Sequence, residues 1–98
     1  MDINSLMDSA KGLQSRIADA QNSLSKMHVK GISDNGSVVV DMTGKYDVVS
    51  VVINPNILSR GVTEISKLVA DAYRDAKAKA DKLIDDMMTK VTGGFSLN

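Results

Sequence analysis

Apolar residues recur at steps of three and four along the first quarter of the chain. They occupy Ile3, Leu6, Ala10, Leu13, Ile17, Ala20, Leu24 and Met27. This spacing is the a/d repeat of an amphipathic helix that can form a coiled coil. The pattern predicts a first helix over residues 3–27, about 36 Å long at about 1.5 Å per residue.

After this helix the period changes to the alternation that is typical of strands. The β-rich segments are residues 27–33, 37–43 (SVVVDMT) and 48–53 (VVSVVI), with turn signals at 34–36 (DNG) and 44–47 (GKYD). Because both connections are short, the three strands are predicted to form an antiparallel meander.

Both faces of the predicted meander carry apolar residues. One face holds Val38, Val40, Met42, Val49, Val51 and Ile53, and the other holds Val39, Val48 and Val52. A sheet with one face in water shows a clean apolar/polar alternation, which this one lacks. Either the two helices cover one face each, or a second copy of the chain covers the second face. We favour the second alternative, which makes Val39, Val48 and Val52 candidate dimer-interface residues.

A second helical pattern follows the third strand. Pro55 ends that strand because it offers no donor to the ladder, and residues 56–58 are predicted to form a single turn. Thr63 is a candidate N-cap, with Glu64 in the first turn. An apolar stripe predicts a helix to about residue 91. The predicted organisation is one α+β domain over residues 1–92, of order α-β-β-β-α, followed by a flexible tail at 93–98.

Composition narrows the class of protein. The 98 residues include no Cys, so neither a disulfide nor a thiolate zinc site can support the core. Surface scaling gives a compact monomer of this mass a thin core, with about 64% of the surface buried, which again favours self-association. No apolar run reaches the ~20 residues of a membrane span, and the N-terminus lacks the pattern of a signal peptide. We expect a cytoplasmic protein with no membrane partner.

Candidate catalytic chemistry is sparse. His28 is the sole imidazole and lies at a helix–strand junction, where a structural or surface role is expected. No Ser lies in a G-x-S-x-G turn, and there is no phosphate-binding glycine loop. Asp85 and Asp86 are adjacent and diverge on a helix, so they do not share a proton or a metal. We predict that the protein is not an enzyme and expect no cofactor, metal or small-molecule substrate.

The charges balance in total but not locally. Twelve Lys or Arg stand against twelve Asp or Glu, which argues against a strongly basic nucleic-acid binder. Residues 74–82 nevertheless hold four basic and two acidic residues. Phosphate binding needs such a local array and not a positive total, although a solvated helix face also shows this pattern. The candidate DNA contacts on the two helices are Lys11, Arg16, Lys26, Lys67, Arg74, Lys77 and Lys82.

Three segments together resemble a known family. They are residues 35–44 (NGSVVVDMTG), 51–58 (VVINPNIL) and 69–76 (VADAYRDA). In this order and spacing they resemble the YbaB/EbfC family of bacterial nucleoid-associated DNA-binding proteins. Tyr73 and Arg74 stand where Phe-Asn is usual in that family, and Ile57 replaces a Leu. The family has no fixed DNA-contact motif, so the basic candidates above are not transferred from it.

The resemblance has structural and functional implications. It implies an α-β-β-β-α fold and a homodimer in which paired long helices project like tweezers from a joined sheet. It also implies a nucleoid-associated protein that binds DNA in chromosome organisation or gene regulation. Together with the basic excess of residues 74–82, it leads us to expect that duplex DNA is bound mainly through phosphate contacts.

One alternative belongs to another functional class. A protein-interaction or chaperone-like coiled-coil protein without DNA binding also fits the heptad pattern of residues 3–27, since prefoldin-type subunits place β-hairpins between two long helices. The three-stranded meander and the strand end at Pro55 fit that alternative less well.

Overall fold

The computed structural model describes residues 3–93, and the side chains of residues 6–91. Two long helices flank a three-stranded sheet, which confirms the predicted α+β class and element order. Residues 94–98 of the predicted tail lie outside the described part of the chain, and Gly93 still belongs to the second helix. The elements are α1 (Ile3–Lys26), β1 (His28–Ser33), β2 (Val38–Thr43), β3 (Val48–Ile53) and α2 (Val62–Gly93), with 3-10 turns at Asp34–Gly36 and Pro55–Arg60.

The sheet is an antiparallel meander in the order β1-β2-β3. In the first turn Asp34 and Asn35 adopt positive φ angles of 52° and 55°, followed by Gly36 at 95°. Asp, Asn and Gly reach this left-handed region at low cost. The residues that signalled a turn in the sequence are therefore those that the backbone needs there.

A bulge changes the face pattern of β3. The register shifts between Asp41 and Met42, so that Val48 lies opposite Met42. Opposed residues of an antiparallel pair point to the same face, which places Val48 on the face of Met42 and not with Val39 and Val52. The predicted face of Val48 is therefore wrong, because a period-2 pattern cannot reveal an inserted residue.

The core is the contact between α2 and one face of β1 and β2. Its buried members are Val38, Val40, Met42, Ile57, Ala72, Ala76 and Ala80. The three alanines recur every four residues and are 0% exposed, so they form one small-residue stripe that lets the helix approach the sheet. A Cβ at Gly31 would lie 1.9 Å from the carbonyl oxygen of Ala72. This position of β1 therefore requires glycine.

The C-terminal end of α1 is held by the β2–β3 turn. The N–H of Gly44 donates to the carbonyls of Leu24 and Met27, each at 3.0 Å. Ala20 and Leu24 are buried, whereas Leu6 on the same apolar seam is about half exposed. The helix is therefore anchored at its C-terminal end, and its apolar seam continues beyond the part that is packed.

The start of α2 differs from the prediction by two residues. The helix begins at Val62, and the N–H of Ile65 bonds to the carbonyl of Gly61 at 3.1 Å. Because that carbonyl accepts the first intrahelical bond, Gly61 is the N-cap. The prediction that Thr63 caps the helix is wrong, since Thr63 lies in the first turn.

Candidate nucleic-acid interface

Four basic residues in the middle of α2 form pairs with carboxylates on the same helix. Their side chains are largely in water, where such pairs contribute about 0–1 kcal/mol, so a phosphate group can replace the carboxylate at small cost. The pairs of the predicted candidates are Arg74–Asp71 at 3.0 Å, Lys77–Asp81 at 3.4 Å and Lys82–Asp86 at 3.5 Å.

Three candidate lysines form no ion pair within the described part of the chain. They are Lys11 and Lys26 on α1 and Lys67 on α2, and all three are exposed. Lys67 lines a cleft at the start of α2 together with Arg60. Six of the seven candidates thus divide into three that form an ion pair with a carboxylate and three that form none among the described residues. The candidates are spread along both helices.

A shallow cleft between the helices brings together two cations. Its lining includes Arg16 and Asp19 of α1 and Lys90 of α2, together with apolar Ala20 and Val91. Arg16 is a predicted candidate, but Lys90 was not selected from the sequence. Lys90 lies four residues after Asp86, a spacing at which the two side chains can pair on a helix. In the structure Asp86 pairs with Lys82 instead.

Lys77 takes part in a cluster that ties the β2–β3 turn to α2. The hydroxyl of Tyr46 donates to the carboxylate of Asp81, and Lys77 Nζ lies 5.5 Å from the centroid of the Tyr46 ring. The hydrogen bond from Tyr46 lowers the pKa of Asp81, and the same bond raises the pKa of Tyr46. Lys77 therefore stabilises the turn as well as adding charge to the helix surface.

The third strand is the exposed apolar part of the molecule. Because α2 lies over β1 and β2, the valines of β3 are between 43% and 60% exposed on both faces. Within the described residues, the outer edge of β3 forms no backbone hydrogen bond. Of the predicted interface residues, Val48 and Val52 lie on this strand, and half-buried Val39 lies on its neighbour.

The one imidazole has a local partner. His28 Nδ1 lies 2.6 Å from Asp41 Oδ1 on the sheet face away from α2, which agrees with the structural or surface role expected of it.

Within residues 3–93 no group of three or more His, Cys, Asp or Glu side chains is placed to hold a metal ion. In the same part of the chain, neither helix has the length and apolarity needed to cross a membrane.

Comparison with known proteins decides between the two functional classes. The model of the YbaB/EbfC DNA-binding family matches residues 1–95. The chain belongs to the YbaB/EbfC family. This confirms the resemblance carried by residues 35–44, 51–58 and 69–76. The family is one of DNA-binding proteins and not of enzymes, in agreement with the predicted absence of catalysis, and it favours DNA binding over the coiled-coil alternative.

Relatives and a solved structure agree with this assignment. Nucleoid-associated protein Rru_A3472 of Rhodospirillum rubrum is 38% identical over 97% of this chain and 90% of its own length. Nucleoid-associated protein bll8115 of Bradyrhizobium diazoefficiens is 37% identical over 98% of this chain and 92% of its own length. The crystal structure of uncharacterized protein HP0035 from Helicobacter pylori is 19% identical, with a TM-score of 0.62 over 90% of this chain and 98% of that chain. HP0035 therefore shares the fold.

Proposed function

We propose that this YbaB/EbfC protein is a nucleoid-associated homodimer that binds duplex DNA mainly through phosphate contacts. The family match over residues 1–95 is the observation that carries this proposal. The exposed cations on both helices supply the chemistry, because Lys and Arg side chains bind phosphate without reading sequence. Chromosome organisation or gene regulation at the nucleoid is the role that follows.

The surface area of the chain supports the homodimer. The chain exposes 6794 Å², whereas surface scaling gives about 5,400 Å² for a compact monomer of this mass. If each of two copies hides this excess of about 1,400 Å², the interface buries about 2,800 Å² in total, which is in the range of obligate homodimers. Much of the exposed apolar surface lies along β3, so we place the junction of the two copies at this strand, with Val48 and Val52 in the contact and Val39 beside it.

Dimerisation explains how a chain of zero net charge can bind DNA. Each small cation array is doubled, and the two copies are held at a fixed separation by the joined sheet. The phosphate contacts then add along the duplex, while the acidic residues between them limit affinity at high salt. We therefore expect a modest affinity that depends strongly on ionic strength, with little dependence on base sequence.

A salt titration of DNA binding tests the proposal. The logarithm of the observed binding constant should fall linearly with the logarithm of salt concentration, by about 0.9 for each phosphate neutralised. A gel shift of duplex DNA at low salt, run beside a measurement of molar mass, gives both quantities. Absence of any shift with the folded dimer at low salt would rule out the proposed function.

Paired variants test the assignment of the contacts. The triple variant Arg74→Glu, Lys77→Glu, Lys82→Glu should abolish the shift, and the triple glutamine variant should weaken it and flatten the salt slope. The comparison separates the loss of contacts from the repulsion that glutamate adds. Both variants must keep the helical circular dichroism spectrum of the parent, because Lys77 also contacts Tyr46. Unchanged binding of both would remove these three residues from the interface.

A further inference from the structure

The outer edge of β1 is bonded by two side chains of α2. The N–H of Ile32 donates to Asp75 Oδ2 at 2.9 Å, and Lys79 Nζ donates to the carbonyl of Lys30 at 2.7 Å. Asp75 and Lys79 are themselves joined at 3.0 Å. Among the described residues β1 pairs only with β2, so these bonds fall on the side of β1 where a further strand would add.

The two side chains take the place of such a strand. On an antiparallel edge, alternate residues present an N–H and a C=O outward, and an added strand accepts from the first and donates to the second. Asp75 supplies the acceptor for Ile32 and Lys79 supplies the donor for Lys30. The backbone N–H of Ile32 is also the main reason why the pKa of Asp75 lies below its usual value, so the bond is made to the charged carboxylate.

The opposite edge of the sheet has no such cover. Within the described residues the outer edge of β3 forms no backbone hydrogen bond, and its valines are exposed on both faces. If both edges were open, β1 of one copy could pair with β3 of the next. That head-to-tail contact leaves a free edge on each added copy and builds larger rings or open filaments, whereas a contact of β3 with β3 closes after two copies.

We propose that Asp75 and Lys79 close the edge of β1 to strand addition, so that copies of this chain associate through β3 alone. The strand that they exclude is β3 of a second copy, because β3 is apolar and its outer edge forms no backbone hydrogen bond among the described residues. The size of the closed assembly rests on the homodimer proposed above, whereas the closure of β1 does not.

The double variant Asp75→Ala, Lys79→Ala tests the proposal without changing the net charge. Its matched control is Lys82→Ala, Asp86→Ala, which removes another pair four residues apart on α2, joined at 3.5 Å and without a bond to the sheet. Molar mass is measured by sedimentation velocity over a wide range of protein concentration. The parent and the control should level off at one mass, and the double variant should continue to grow with concentration.

The outcomes separate this proposal from the proposed homodimer. A folded double variant that levels off at the mass of the parent overturns the closure of β1, whatever that mass is. Growth of the double variant supports the closure even if the parent proves to be a monomer, a result that would refute the homodimer alone.

A second measurement applies if the double variant does not fold. In the parent, the amide of Ile32 should be protected from hydrogen exchange although it lies on an edge strand. The reason is that this N–H donates a hydrogen bond to the carboxylate of Asp75. The variant Lys79→Met, which keeps the long side chain, should leave that protection in place and begin to associate through the freed carbonyl of Lys30. Fast exchange at Ile32 in the parent, or a constant mass for Lys79→Met, contradicts the proposal.

Discussion

Among the five glycines from Gly12 to Gly61, Gly31 is the one at which an added Cβ would overlap most with its neighbours, so we predict the largest loss of stability there. In the variant Gly31→Ala the new Cβ would lie 1.9 Å from the carbonyl oxygen of Ala72 and 2.4 Å from the backbone nitrogen of Ala76. Both neighbours are backbone atoms of a long helix, so no side chain can rotate away. The helix itself must move off the sheet.

The size of this effect follows from the distances. Close C–H···O contacts in proteins have carbon and oxygen about 3.3–3.6 Å apart, so α2 would have to shift by about 1.4 Å. Overpacking of this kind costs about 1–3 kcal/mol, and more where nothing can relax. We expect a loss of about 3 kcal/mol or more from a total stability of about 5–15 kcal/mol. For a domain of this size that lowers Tm by about 12–24 °C.

Thermal unfolding followed by circular dichroism measures this loss. The protomer concentration must be the same in every sample, since association raises Tm by mass action. Gly12→Ala is the matched control, because a Cβ at Gly12 has no neighbour within 4 Å and alanine favours a helix by about 1 kcal/mol. The control should melt slightly above the parent. A Gly31→Ala variant with the same Tm as the parent would refute the close packing of α2 against β1.

Two further changes probe the β2–β3 turn. Gly44→Ala would place a Cβ 2.8 Å from the carbonyl oxygen of Leu24, a smaller overlap that should cost about 1–2 kcal/mol in thermal unfolding; a variant as stable as the parent would contradict the anchoring of α1. Tyr46→Phe removes the hydrogen bond that lowers the pKa of Asp81. A lowered pKa stabilises the fold above the usual Asp value of 3.8 and ceases to do so as pH falls through the folded value. The phenylalanine variant should therefore be less stable at neutral pH and lose less stability in acid, as urea midpoints against pH would show. Tyr73→Phe changes an equally exposed tyrosine and should show the same dependence of the urea midpoint on pH as the parent.

Periodicity predicted the elements because helices and strands place apolar residues at different spacings. The α1 seam, the three strands and the α2 stripe lie within two residues of their predicted bounds. The helix packing was not predictable in the same way. Gly31 is one small residue within an apolar strand, and only its contact with Ala72 and Ala76 shows why the position must be glycine. The bulge that turns Val48 to the other face could not be predicted either, because it depends on the register between β2 and β3.

The sequence predicted which charged residues lie in the candidate site, but not which of them form ion pairs with each other. The sequence identified the charged face of α2 and the basic excess of residues 74–82. It could not show that Asp71 pairs with Arg74 in place of Lys67, which leaves Lys67 without an ion pair among the described residues. Both partners lie within one helical turn of Asp71, so spacing alone does not choose between them.

Three ion pairs in the middle of α2 have the same four-residue spacing, but their contacts with the rest of the fold differ. Asp75–Lys79 bonds the edge of β1, and Lys77–Asp81 meets Tyr46 of the β2–β3 turn. The pair Lys82–Asp86 has no bond to sheet or turn within the described residues. A phosphate that takes a cation from one of the first two pairs must also disturb the fold, whereas one that takes Lys82 disturbs only a weak surface pair. Of these three pairs, Lys82–Asp86 is therefore the one whose cation DNA should recruit at the smallest cost.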